Sequence, residues 1–193
     1  MTRSWFKWLR RGLIEDCRGG VMIEFAFIMP VLIFFMLAGV DLVRFAMLQQ
    51  KLTRAATTTA DLVAQYETMS TTQLDQLLLA IEHVIQPFPL GASGQVLVSS
   101  VSRVDAGSPV LVDWQQPGPG GITVTSNFGT AGNNATLPAG FTVDGGESVI
   151  VAEVFYDFEP LLFEFMVPAR RVEHQAMFRP RFGTLSTLTP PTP

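Results

Sequence analysis

The sequence predicts an α+β protein: a long N-terminal membrane-spanning helix that continues as an amphipathic helix, then a small exported domain with a mainly antiparallel β-sheet. Three observations carry this reading. An apolar run from Val21 to Val40 follows a short basic head. Apolar residues then recur at three- and four-residue spacing. From Gln95 onward they alternate in short runs separated by Gly/Pro clusters.

The run from Val21 to Val40 covers 20 residues. At about 1.5 Å rise per residue it spans about 30 Å, the hydrocarbon thickness of a bilayer. Its one charged residue is Glu24 and its one helix breaker is Pro30. A charge at membrane depth costs about 2.5–3.5 kcal/mol on insertion scales, so Glu24 is read as a functional residue. The alternative is a carboxylate near the membrane edge that reaches up to water. Pro30 removes the hydrogen bond to the carbonyl of Ala26 and should kink or loosen that turn. Such a turn either eases the helix out of lipid or is a tolerated irregularity.

Charge sets the orientation. Arg3, Lys7, Arg10, Arg11 and Arg18 in the head face only Glu15 and Asp16, whereas the chain from Asp41 carries 8 basic and 14 acidic residues. Basic flanks stay cytoplasmic, so the N-terminus is expected inside and the remainder across the membrane. A removable secretory signal fits less well. The apolar run exceeds the usual h-region of about 7–15 residues and no small-x-small site ends it.

At 48% hydrophobic and 16% charged, the chain is apolar for a soluble protein. About 150 residues remain beyond the span, enough for one modest domain. The single cysteine, Cys17, lies in the head, so the exported part has no intramolecular disulfide. A net charge of −4 argues against a nucleic-acid partner.

Beyond the span, Leu42, Phe45, Leu48, Leu52, Ala55, Thr59, Leu62 and Tyr66 form one stripe on a continuing helix, giving a single helix of about 45 residues. Thr72-Gln73-Leu74-Asp75 has the form of a capping box opening a second helix. Leu74, Leu77, Leu78, Ile81 and Ile85 are its buried face and Pro87 its stop. Strands are expected around Val96 and Val98, around Val110 to Trp114, and around Ile122, Val124 and Phe128. Asp105–Pro109 and Pro117–Gly121 read as the turns between them. Ser148–Phe158 is apolar on both faces and is expected to be central, with a helix covering one side. Arg171–Phe178 is the last strand. The apolar connection Glu159–Pro168 is expected to fold onto the sheet, with a contact surface as the alternative. The Thr/Pro-rich tail is expected to be disordered.

Catalytic readings find little support. His83 and His174 lie in different elements, and no Cys/His cluster has metal-ligand spacing. Gly118-Pro119-Gly120-Gly121 lacks the Lys and Ser/Thr of a phosphate cradle. No cofactor, metal or small-molecule substrate is expected.

Arg18-Gly19-Gly20-Val21-Met22-Ile23-Glu24-Phe25, the Pro-containing apolar run, Asp41-Leu42-Val43-Arg44 and Leu52-Thr53-Arg54-Ala55-Ala56 together resemble the TadE-like proteins. These are pseudopilins of the tight-adherence (Flp) type IV pilus machinery. The resemblance covers roughly residues 17–60. A weaker one lies in Val151–Leu161 and Ala176–Arg181, and the chain lacks the extra length of the TadG relatives.

The resemblance implies a pilin-like protein of the bacterial inner membrane, processed by a prepilin peptidase and working with other pilins, pseudopilins and assembly proteins. In the family the cut follows a glycine and leaves glutamate at the fifth mature position. Carried over, cleavage falls between Gly19 and Gly20, with Glu24 fifth. Flexible glycines let the backbone enter a protease cleft. The new α-ammonium at Gly20 then needs an anion, and Glu24 can pair with its own terminus or with a neighbouring subunit's. The expected division is a removed leader (1–19), a transmembrane helix (20–42), an amphipathic and a second helix (43–86), a β-rich domain (87–182) and a disordered tail (183–193). The alternative is an uncleaved, membrane-anchored envelope domain that binds a ligand or protein; an anchored enzyme ranks third.

Overall fold

The computed structural model describes residues 20–190, apart from Phe163 and Phe165. The expected leader, including Gly19, and the last three residues of the tail lie outside the described residues. Two helices and four strands follow in order: α1 (Gly20–Ala64), α2 (Thr71–Ile85), β1 (Gly94–Arg103), β2 (Leu111–Gly120), β3 (Glu147–Phe158) and β4 (Arg170–Phe178). The strands form one antiparallel sheet in the order β2-β1-β3-β4. The α+β reading holds.

Helix α1 runs 45 residues and passes through Pro30 without a break. Its buried face is Leu48, Leu52, Ala55, Ala56, Thr59, Ala60 and Val63. Leu42, Leu62 and Tyr66, assigned to the stripe by spacing, are exposed. The small residues Ala56 and Ala60 take the contact instead, because they let the helix backbone approach the domain closely. Buried Thr59 returns its hydroxyl to the carbonyl of Ala55 at 2.8 Å, so no polar group is orphaned.

Helix α2 starts earlier than its expected capping box. Ser70 is the N-cap: its Oγ accepts from the backbone N–H of Gln73 at 3.2 Å, and Gln73 Oε1 accepts from the backbone N–H of Ser70 at 3.0 Å. The buried face is Leu74, Leu78, Ile81 and Ile85.

Strand β3 lies inside the sheet, and its two faces serve two cores. Ile150, Ala152 and Val154 join the α1 and α2 residues in the larger cluster. Val149 and Val151 face a smaller cluster with Phe128 and Val143, which the long β2–β3 connection supplies. Between β1 and β2 the pairing shifts so that Ser100 opposes Trp114 while Val101 opposes Val112. This bulge at Asp113 sends Trp114 to the helix-covered core and Val112 to the other.

Three further expectations give way. Pro117 to Gly120 is not a turn but the end of β2, an edge strand where proline is tolerated. Residues 122–128 form no strand; Phe128 anchors the connection from a loop. The described part of the tail is tied to the domain at two points. Leu185 is 1% exposed, Trp114 Nε1 donates to its carbonyl at 2.8 Å, and Thr189 bridges to Ser70.

Candidate membrane anchor and its junction with the domain

Helix α1 has two surfaces of different character. Residues 20–36 are exposed on every side, and nearly all are apolar. Burial begins at Ala38 and Asp41, one turn apart on the same face. The first half of the helix is therefore an exposed apolar rod, long and apolar enough to cross a bilayer.

Gly20, Glu24 and Pro30 all lie on this rod. Glu24 is exposed, and among the described residues it has no ion-pair or hydrogen-bond partner. A Cβ added at Gly20 would meet nothing within 4 Å, so no packing in this chain demands glycine there. Gly20 and Glu24 stand four residues apart, about 6 Å along a helix axis and on one face.

The rod meets the domain at Asp41, which is fully buried. Its carboxylate accepts the backbone N–H of Leu161 at 2.9 Å and that of Leu162 at 3.0 Å. Arg44, one turn on, brings a guanidinium nitrogen to 3.8 Å from Asp41 and lies 6.0 Å from the ring centres of both Phe88 and Phe158. Phe45 stacks edge-on against Phe158 at 5.2 Å, and the Arg170 guanidinium covers its ring at 4.4 Å. The β3–β4 connection is thus held to α1 rather than spread on the sheet. Of its described apolar residues only Val167 enters the main core, while Leu161, Leu162 and Met166 stay exposed.

From this junction α1 climbs along the sheet beside β4. Thr53 Oγ1 meets His174 Nδ1 at 3.1 Å, and burial pulls the imidazole below its ordinary value. Higher up, Arg181 donates to Asp61 at 2.8 Å. Arg171 forks onto Asp157 at 2.7 and 2.9 Å and holds that carboxyl below its usual range. The contacts run from the membrane end of the helix to its far end, so α1 and the sheet form one body.

A buried carboxylate also organises the opposite face of the sheet. Glu153 accepts from Ser126 Oγ and from the backbone N–H of Asn127 at 2.9 Å. Burial pushes its carboxyl up, with Glu173 adding to the rise. Asp113, at the bulge, is likewise raised by burial while accepting from Ser102 at 2.8 Å. Glu153 anchors a loop and Asp113 a bulge.

Sequence reasoning picked out Glu24 but passed over Asp41 and Glu153. Asp41 had one available signal, an acidic residue directly after an apolar run with Arg44 one turn on. His83 lies beside Gln86 and His174 beside Thr53, in separate elements. Among the described residues no group of three or more His, Cys, Asp or Glu could hold a metal ion.

Neither the curated proteins nor the solved structures include one that matches this chain. The model of the TadE-like protein family matches residues 19–61, and the bare helix with its first turns against the sheet is therefore a TadE-like segment.

Proposed function

We propose that this protein is a pseudopilin that serves the assembly of a tight-adherence pilus and is made as an inner-membrane precursor with its N-terminus cytoplasmic. A prepilin peptidase cuts between Gly19 and Gly20, and the domain from residue 43 onward stands in the periplasm. Its partners are that peptidase, other pilins and pseudopilins, and the assembly proteins; it performs no catalysis.

The observation that carries this reading is Glu24, the one charge on an otherwise uncovered apolar rod, four residues from a glycine that packing does not require. The TadE-like match begins at residue 19, beside that glycine. Cleavage creates an α-ammonium at Gly20 whose natural counter-ion is a carboxylate one turn away, in its own chain or a neighbour's. Pairing offsets part of the cost of about 2.5–3.5 kcal/mol of a charge at membrane depth. Pairing between chains would also set the axial register of packed helices.

Intact-mass analysis and N-terminal sequencing of protein purified from membranes test the proposal. A mature chain starting at Gly20 is expected. A chain that retains Met1 removes the pairing argument and turns the reading to an uncleaved anchored domain.

A further inference from the structure

We infer that the β3–β4 loop is a second membrane contact, laying Leu161, Leu162 and Met166 into the interface of the leaflet from which α1 emerges. The inference rests on the reading of α1 as a membrane anchor and needs nothing of the pilus.

The geometry leaves the loop little choice of height. Asp41 is one residue past the apolar run that ends at Val40, and it binds the backbone N–H groups of Leu161 and Leu162 directly. Helix burial begins still earlier, at Ala38, inside the run itself. A loop held at this level lies where the hydrocarbon gives way to headgroups. The hydrogen bonds engage the backbone N–H groups of Leu161 and Leu162, which leaves these two side chains free of that contact. Leu161 is 64% exposed, Leu162 49% and Met166 45%. Leu42 and Val43, the two residues after Asp41 on α1, are exposed as well.

Charge favours the lipid interface over an anionic headgroup site. The three arginines at this end are engaged within the protein: Arg44 with Asp41 and two rings, Arg170 over Phe45, and Arg171 on Asp157. Glu159 and Glu164 border the exposed leucines, which limits the loop to the boundary zone where carboxylates still reach water. Two attachments, a helix and a loop, would stop the domain from swivelling on a single stalk. The sheet would then stand at a set angle to the bilayer.

Depth-dependent quenching in the full chain tests this. In a Cys17→Ser background, Leu162→Cys carries an environment-sensitive fluorophore in phosphatidylcholine vesicles that contain spin-labelled lipid at shallow or deep positions. Phe35→Cys on the rod and Val104→Cys at the far end of the sheet are the references. The expected result is strong quenching at 162 by shallow spin labels, deep quenching at 35 and none at 104. Quenching at 35 with a silent 162 overturns the loop contact and leaves the anchor standing. Silence at both positions removes the anchor and the loop contact with it. A lipid-silent 162 that cross-links to a second copy would assign the loop to a protein neighbour, which also overturns the inference.

Discussion

The carboxylate of Asp41 accepts the backbone N–H of Leu161 at 2.9 Å, joining the end of the apolar run of α1 to a loop 120 residues later. Because Asp41 is fully buried, this acceptor has no water to fall back on. It holds the domain to the helix within one turn of Ala38, where burial begins. Asp41→Ala removes the charged acceptor of the Leu161 and Leu162 N–H groups, a loss of about 1.5–3 kcal/mol for a hydrogen bond to a charged group. Asp41→Asn keeps one acceptor oxygen and should lose less. Chemical denaturation in detergent, followed by Trp114 fluorescence, should rank the three proteins as wild type, Asn, Ala. An Ala variant as stable as wild type would falsify the latch.

Glu24 makes a prediction about assembly rather than stability. Its side chain contacts nothing in the described domain, so Glu24→Val should leave the unfolding midpoint of the domain unchanged. The variant is expected to be cleaved and yet to fail in pilus assembly. Mass analysis of the membrane fraction and a count of surface pili report the two steps separately. Normal piliation would rule out the charge-pairing role.

Trp114 ties down the tail. Its Nε1 donates to the carbonyl of Leu185 at 2.8 Å, and Leu185 lies in the main core. Trp114→Phe keeps most of the apolar surface but removes the donor, at a cost of about 0.5–1.5 kcal/mol for the bond. Hydrogen exchange at Thr71 and Thr189, where the tail pairs with the start of α2, should speed up before global unfolding does. Unchanged exchange there would mean that Leu185 packing alone holds the tail.

Glu153 predicts a pH dependence of defined sign. Its carboxyl is raised above the ordinary value of 4.5 by burial. Between 4.5 and the raised folded value, the native state keeps a proton that the unfolded chain has lost. Stability from this group is therefore full below 4.5 and declines as pH rises through the folded value. Glu153→Gln removes that decline. The wild-type unfolding free energy minus that of the variant should fall from acid to neutral pH. A difference that stays flat over that range would show that Glu153 is not the source. Asp113 contributes a slope of the same sign to both proteins and cancels in the difference.

Much of the architecture was readable from local pattern because local pattern reports burial. The 45-residue α1 follows from uninterrupted apolar residues and three-four spacing, and β3 from alternation with two apolar faces. The failures occur where distant segments choose among local options. Ser70, Thr71 and Thr72 are three successive residues able to cap α2. Ser70 is the N-cap, at the position where Thr189 of the tail pairs with the chain. Pro117 to Gly120 has turn composition, but Gln95 of β1 donates to the carbonyl of Gly118 at 2.8 Å and keeps the segment extended. A Cβ on Gly120 would clash with the carbonyl of Gly94, so that glycine serves close strand approach rather than a turn.

From the sequence alone came a helix long and apolar enough to cross a membrane, the basic head before it, the lone acidic residue near its start and a TadE-like character over roughly residues 17–60, which the family model matches at 19–61. These are one-dimensional properties: hydropathy, charge order and spacing along one chain. That Asp41 is a buried acceptor, that Glu153 anchors the far face, and that a Thr/Pro-rich tail returns to the core were decided by tertiary structure. In each, a polar group finds a hydrogen-bond partner some 26 to 120 residues away, and no local rule records where that partner will be.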